Sequence, residues 1–299
     1  MSGMRQEGAE VTGGRAHRRA RIAVVGCGAI ARDFHLPALR WLSRHTRLQV
    51  LWIDRAQDRA RQLANEFGGG RALGTYEDSL SEVDGAIVTV PHDLHEEVAS
   101  AFLAAGVPVL CEKPLAPSFE GALSLVELAE RNGAPLCVNN TRRFFPASRK
   151  VRELLAGGGL GELKFLRYRE GFEFRWPTVS GFYFRRGARR GVLLDRGAHA
   201  LDLVCWWLGE LPEVVEARWD ASGGVEGHVD LRLRARTCEI EITLSWLHTL
   251  RNDFEIQGVA GRLSGGTEEW DRVWRQRSDG REQGIRLPSR SRTYGDFGA

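Results

Sequence analysis

Short, wholly apolar runs alternate with amphipathic stretches through the first half of the chain. Ile22-Ala23-Val24-Val25 is an apolar, partly β-branched run that ends in Gly26-Cys27-Gly28-Ala29-Ile30-Ala31. The stretch after it carries Leu36, Leu39 and Leu42 at helical spacing. Leu48–Ile53 is a second apolar run closed by Asp54, and over 56–67 Ala60, Leu63, Ala64 and Phe67 form a helical stripe that Gly68-Gly69-Gly70 ends. A strand over 85–90 is stopped by Pro91, and a helix over 94–105 ends at Gly106. A strand over 107–111 runs into Glu112-Lys113-Pro114, followed by a helix over 118–132 and a strand over 135–139. Strands that are apolar throughout, with helices between them, imply a parallel sheet covered on both faces. Residues 21–140 are therefore read as an α/β, doubly wound domain.

The pattern then changes. Pro146–Ala156 predicts a short basic helix leading into Gly157-Gly158-Gly159, and strands are predicted over 163–174, 213–221, 227–235, 238–246 and 254–258. Val229, Leu231 and Leu233 alternate with Asp230, Arg232 and Arg234; beyond the turn at Arg236-Thr237, Ile240, Ile242 and Leu244 alternate with Glu239, Glu241 and Thr243. One face of this sheet should carry helices, and the other should set arginines opposite glutamates.

Composition narrows the function. A length of 299 residues suits about two domains, and no apolar run approaches the ~20 residues that span a bilayer. The first twenty residues lack an apolar core and read as a flexible extension rather than a secretory signal. A net charge of +3 is too small to argue for a nucleic-acid partner. Five cysteines without a CxxC pair argue against a disulfide scaffold or a structural zinc site, and suit a reducing cytoplasm. Of 42 basic residues only Lys113, Lys150 and Lys164 are lysines, so a lysine in an unusual setting is poorly explained as a surface charge.

Gly26-x-Gly28-x-x-Ala31 follows a strand and opens a helix, the context in which such a turn binds a dinucleotide. The first glycine permits the turn, the second lets the backbone approach a pyrophosphate, and the small Ala31 lets helix and strand pack closely. Asp54 would accept hydrogen bonds from the adenosine ribose and repel a 2′-phosphate, which favours NAD; the adjacent Arg55 could pair with that phosphate and keeps NADP open. The cofactor-binding set is Gly26, Gly28, Ala29, Ile30, Ala31, Asp54 and Arg55.

Four further segments make the chain resemble the glucose–fructose oxidoreductase/inositol dehydrogenase (Gfo/Idh/MocA) family. They are Val90-Pro91-His92-Asp93-Leu94-His95, Glu112-Lys113-Pro114, Asn139-Asn140-Thr141-Arg142-Arg143-Phe144, and the run from Gly191 through Asp195 and His199 to Asp202. The resemblance implies a Rossmann domain followed by a C-terminal α+β domain, over 141–299, on an open, mostly antiparallel sheet. It implies that Pro91, His95, Glu112 and Lys113 border the cofactor and that Lys113, Asp195 and His199 are catalytic, with Arg143 and Trp176 added on the substrate side. Relatives continue beyond a segment like Tyr294-Gly295-Asp296-Phe297 into further helices, so the C-terminal domain is read as shortened. Relatives also use the outer sheet face between subunits; the charge expected on that face here leaves a homo-oligomer undecided.

The residues support the same chemistry independently. Oxidising a secondary alcohol needs a base for the hydroxyl proton as the C–H bond breaks. Asp195 and His199 lie four apart and would share a helix face, where His199 could titrate near neutrality and Asp195 could orient the imidazole, cap the helix, or both. Asp202 reads as a helix-supporting hydrogen-bond partner, and the set Asp195, His199, Asp202 lacks the further ligands that a metal site needs. Between 172 and 191, Phe172, Phe174, Trp176, Phe182, Tyr183 and Phe184 interleave with Arg175, Arg185, Arg186, Arg189 and Arg190, a mixture that could stack on a sugar and grip phosphate. The expectation is an NAD(P)-dependent oxidoreductase acting on a hydroxyl or keto carbon of a sugar or polyol, with a phosphorylated or nucleotide-activated sugar among the candidates. A cofactor-binding sensor or scaffold without turnover is the alternative.

Overall fold

The structure, a computed structural model, describes residues 19–174, 191–220 and 225–288. Trp176, most of the aromatic–arginine segment, the first eighteen residues and the last eleven lie outside the described residues.

The first domain is a six-stranded sheet in the order β3-β2-β1-β4-β5-β6. Its strands are β1 (Ala20–Val25), β2 (Leu48–Ile53), β3 (Arg71–Leu73), β4 (Gly85–Val88), β5 (Val109–Cys111) and β6 (Leu136–Val138), all paired parallel. Ala20, read from the sequence as lying before the first strand, already belongs to β1. Side chains of successive strand residues point to opposite faces, and both faces here are packed. Val24, Val50 and Trp52 meet Leu36 and Leu39 of α1 (Leu36–Ser43) and Ala60, Leu63 and Ala64 of α2 (Gln57–Phe67). Ala23, Val25, Leu51 and Ile53 meet Val98 and Phe102 of α3 (His95–Ala104) and Leu125 and Ala129 of α4 (Phe119–Asn132). The strand order reverses between β1 and β4, which opens a crevice at their carboxyl ends where ligands bind in such sheets.

The second domain carries eight strands in the order β14-β13-β12-β11-β7-β10-β9-β8. They are β7 (Leu163–Gly171), β8 (Glu213–Trp219), β9 (His228–Ala235), β10 (Cys238–Ser245), β11 (Asp253–Gly258), β12 (Gly261–Gly266), β13 (Arg272–Arg277) and β14 (Glu282–Arg286). Only β7 and β10 pair parallel. Ala147 and Val151 of α5 (Pro146–Ala156) and Ala200, Leu203, Val204 and Trp207 of α6 (Ala198–Leu208) cover one face. The opposite face has the expected pairs, Glu239 opposite Arg234 and Glu241 opposite Arg232.

Four strands escaped the pattern. β3 is three residues directly after the triple glycine, and β12 to β14 are rich in Gly, Arg, Ser and Gln, with too few apolar positions to show a period. β7 ends at Gly171 rather than at 174.

Candidate active site

The turn after β1 is built as the glycine spacing requires. Gly26 has φ +98°, and a Cβ there would lie 2.7 Å from the Val90 nitrogen and 2.8 Å from the Thr89 carbonyl carbon. Gly26→Ala is therefore expected to destabilise the domain by ~1–3 kcal/mol, read by equilibrium denaturation, with loss of NADH binding in the fluorescence titration. A Cβ on Gly28 would meet nothing within 4 Å, so the backbone is bare where a phosphate must approach. The turn borders a cleft of ≈ 110 Å³ lined by Cys27, Gly28, Ala29, Arg32, Arg59, Gln62 and Leu63. At the end of β2, Asp54 Oδ2 accepts the Cys27 N–H at 2.9 Å, while Oδ1 accepts from Ala56 N and Arg59 Nη2, each at 2.8 Å. Arg55 is exposed beside it. These residues fit a dinucleotide: an open backbone cradle, backed by a carboxylate bonded to Cys27 and Arg59 of the cleft's lining.

Ala31 opens a π-helical turn, Ala31–His35, that hands over to α1 and carries His35 inward. His35 Nε2 lies 2.8 Å from Glu112 Oε1, which also accepts from Asn139 Nδ2 at 2.6 Å. Burial alone would raise the Glu112 carboxyl, but the bonds from His35 and Asn139 and the charges of His35 and Lys113 outweigh it and hold it below the usual range. Pro91 begins the short 3₁₀ turn His92–Leu94, and His95 behind it is buried. The His95 ring faces two carbonyls, Pro114 O at 2.7 Å from Nδ1 and Val90 O at 2.9 Å from Nε2. Glu112 and His95 thus fasten both flanks of Lys113, whose bond to Pro114 is cis.

Lys113 crosses from the first domain to the second. Its Nζ donates to Asp195 Oδ1 at 2.6 Å and to the Asp195 carbonyl at 3.0 Å. Burial raises the Asp195 carboxyl, yet the Lys113 and Arg196 charges with the Lys113 bond bring it below its ordinary value. The Asp195 carboxylate is engaged by Lys113 rather than by His199. The four-residue spacing does not join the two side chains: Asp195 lies in a second π-helical turn, Leu193–Gly197, ahead of α6, and its carboxylate is taken by Lys113. Asp195 also makes no side-chain cap; Gly197 stands at that position.

His199 is buried in α6. Desolvation, then the charges of Lys113, Arg142 and Arg196, push its pKa well below 6.5. The expected titration near neutrality is corrected on that ground: the imidazole is held neutral. Beneath it lies a polar cluster that sequence reasoning missed. Glu170, fully buried on β7, accepts from Arg142 through both guanidinium arms, from Tyr168 Oη at 2.8 Å and from Arg196 Nη1 at 3.0 Å. The signal was available, since Leu166, Tyr168 and Glu170 alternate along one inward-facing register.

Arg143 lies beside α6 but is held by Asp202, with Nε donating to Oδ2 at 2.8 Å and Nη2 bonding Oδ1. Asn140 Nδ2 also donates to Asp202, at 2.9 Å. Asp202 is a hydrogen-bond partner, as its position suggested, and ties the interdomain crossover to α6. A wider cleft, lined by Asn252, Gly266, Glu268, Glu269, Trp270 and Asp271, contains none of these groups.

A Gly-rich βα turn at the switch point of a 3-2-1-4-5-6 sheet, joined through one lysine to a histidine-bearing helix of an antiparallel-sheet domain, defines a two-domain, NAD-binding Rossmann-fold protein. Residues 20–140 match the sequence model of an oxidoreductase family with an NAD-binding Rossmann fold, and 148–264 match the Gfo/Idh/MocA C-terminal domain. The chain belongs to the Gfo/Idh/MocA oxidoreductase family. It is 32% identical over 202 residues to an inositol 2-dehydrogenase of Corynebacterium glutamicum, covering 67% of this chain and 57% of that protein. It is 34% identical over 198 residues to a myo-inositol dehydrogenase of Streptomyces leeuwenhoekii, covering 65% and 58%. The matches thus span little more than half the length of these relatives. A 3-ketoreductase from Actinomadura kijaniata, crystallised with NADP and TDP-benzene, superposes with a TM-score of 0.80 at 27% identity, covering 94% of this chain and 87% of that one.

Proposed function

We propose that the chain is an NAD(P)-dependent oxidoreductase that acts on a hydroxyl or keto carbon of a sugar or polyol. The observation that carries this reading is the contact of Lys113 Nζ with Asp195 across the domains, one turn from a neutral, buried His199. When bound, the nicotinamide cofactor accepts or supplies the hydride; the turn Gly26–Ala31, Asp54 and the backbone beside Pro91 would hold it, with Lys113 at its reacting end. His199 takes the hydroxyl proton as the carbon loses its hydride, and gives the proton back in reduction. Lys113 hydrogen-bonds the reacting oxygen, and Asp195 fixes the ammonium in place. Glu112 and His95, bonded to protein groups on either side of Lys113, position it.

A phosphorylated or nucleotide-activated sugar is the finer reading. It is supported by the arginine- and aromatic-rich sequence over 172–191 and by the TDP-benzene in the related ketoreductase. The five cysteines, none of those described being paired, support a reducing, cytoplasmic setting. No helix among the described residues is long and apolar enough to cross a membrane.

The test is nicotinamide absorbance on addition of polyols, sugars, sugar phosphates and nucleotide-sugars to the purified chain with each cofactor. Turnover confined to one of these classes is expected; cofactor binding without turnover on any of them would leave the sensor alternative. Lys113→Ala should lower kcat about 10²–10³-fold, as loss of a preorganised donor to a developing oxyanion does, with cofactor affinity little changed. Unchanged kcat would remove Lys113 from the mechanism.

A further inference from the structure

Asp54 is less available to a ribose than its place at the end of β2 suggests. A carboxylate offers about four lone-pair sites. Oδ1 already accepts two donors, Ala56 N and Arg59 Nη2, and Oδ2 accepts Cys27 N. One site on Oδ2 is left, whereas an adenosine ribose brings two hydroxyls. The Arg59 side chain is 38% exposed and the Asp54 side chain 9%, so the cation, not the anion, is presented to the cleft. Arg59 is held by one bond from one arm, and its Nε has no acceptor. Arg32 lines the same cleft, with its side chain 47% exposed.

We infer that Arg59 is the residue that sets cofactor choice, and that it admits a 2′-phosphate beside Asp54. The inference rests on the cofactor reading above and takes it a step further. A 2′-phosphate carries close to two negative charges and would be expelled by a bare carboxylate. Paired with Arg59 the carboxylate is neutralised, and since Nε is buried it is Nη1 and the remaining Nη2 hydrogen that offer phosphate oxygens a pair of donors. The same pair weakens NAD(H), because the second ribose hydroxyl must compete with Arg59 for Oδ1. A rejecting Asp54 thereby becomes a tolerant one, and the chain takes both cofactors.

The experiment is fluorescence titration of the purified 299-residue chain with NADH and with NADPH, for the parent, Arg59→Ala and Arg59→Lys. The parent should bind the two within about tenfold of each other. Arg59→Ala should weaken NADPH by about ten- to a hundredfold, the size of a lost charge-assisted contact, while NADH binds unchanged or tighter. Retained NADH binding shows that the variant is folded. Arg59→Lys, a point charge without the fork, should recover part of the NADPH affinity. Raising salt should weaken NADPH binding more than NADH binding. A parent that rejects NADPH, an unchanged affinity ratio in Arg59→Ala, or equal loss of both cofactors in that variant would each overturn the assignment. Failure of the folded parent to bind either cofactor would overturn the cofactor reading itself, and this inference with it.

Discussion

With His199 replaced by asparagine, turnover is expected to fall about 10²–10⁴-fold, the usual contribution of a positioned general base. The pH dependence distinguishes this from a packing defect. Burial first, then the charges of Lys113, Arg142 and Arg196, hold the imidazole well below 6.5. In alcohol oxidation the working form is the neutral ring, so the parent rate should be level through neutrality and decline only at acid pH. In ketone reduction the working form is the imidazolium, scarce at neutral pH, so that rate should rise as pH falls. His199→Asn should lose both limbs while keeping cofactor affinity. Measuring kcat against pH in the two directions checks this, and a variant with the parent's profile would mean that another group carries the proton.

The same burial has a stability consequence of definite sign. A histidine that is neutral when folded must take up a proton on unfolding below about pH 6.5, its ordinary pKa. Its contribution to stability is therefore present above that value and lost as pH falls below it.

Much of this architecture could be read from residue pattern because burial on both faces writes itself into the strands. Val24 and Val25 pack against opposite helix layers, so β1 has no polar position to blur it. Lys113 stood out because lysine is so scarce in this chain. Pairwise geometry was less legible. The four-residue spacing of Asp195 and His199 suggests a pair, but the partner Asp195 takes, Lys113, comes from the other domain, 82 residues away in sequence. The place of Asp54 at the end of β2 offers it to a ribose, but its occupancy by Arg59 depends on which rotamer an arginine of α2 adopts. The cluster around Glu170 joins β7 to the crossover segment and to the turn before α6. Contacts between elements so far apart in sequence leave only a weak local trace, here an acid in an inward register.

That cluster should dominate the effect of mutation on stability. Glu170 is fully buried, and its four lone-pair sites are filled by both arms of Arg142, by Tyr168 and by Arg196. Arg142 and Arg196 meet on this carboxylate, and their charges help to hold His199 neutral. Desolvation would raise the Glu170 carboxyl, but the Arg142 charge and bonds, with those of Arg196 and Tyr168, bring it to about 2. Glu170→Gln removes the carboxylate that both guanidiniums share, and Arg142 is only 2% exposed. Breaking a buried pair from one side costs about 3–5 kcal/mol, which at about 2–4 °C per kcal/mol lowers Tm by roughly 6–20 °C. The contribution of Glu170 is present above its ordinary pKa of 4.5 and is lost as pH falls towards about 2. The variant's stability should accordingly fall less steeply with acid than the parent's. Arg71→Ala, which breaks an exposed pair with Glu82, is the control and should cost no more than ~1 kcal/mol. Denaturant melts of the three proteins at neutral and acid pH decide it. If Glu170→Gln costs no more than the surface control, the two guanidiniums reach water on their own, and the carboxylate is not what holds them beneath His199.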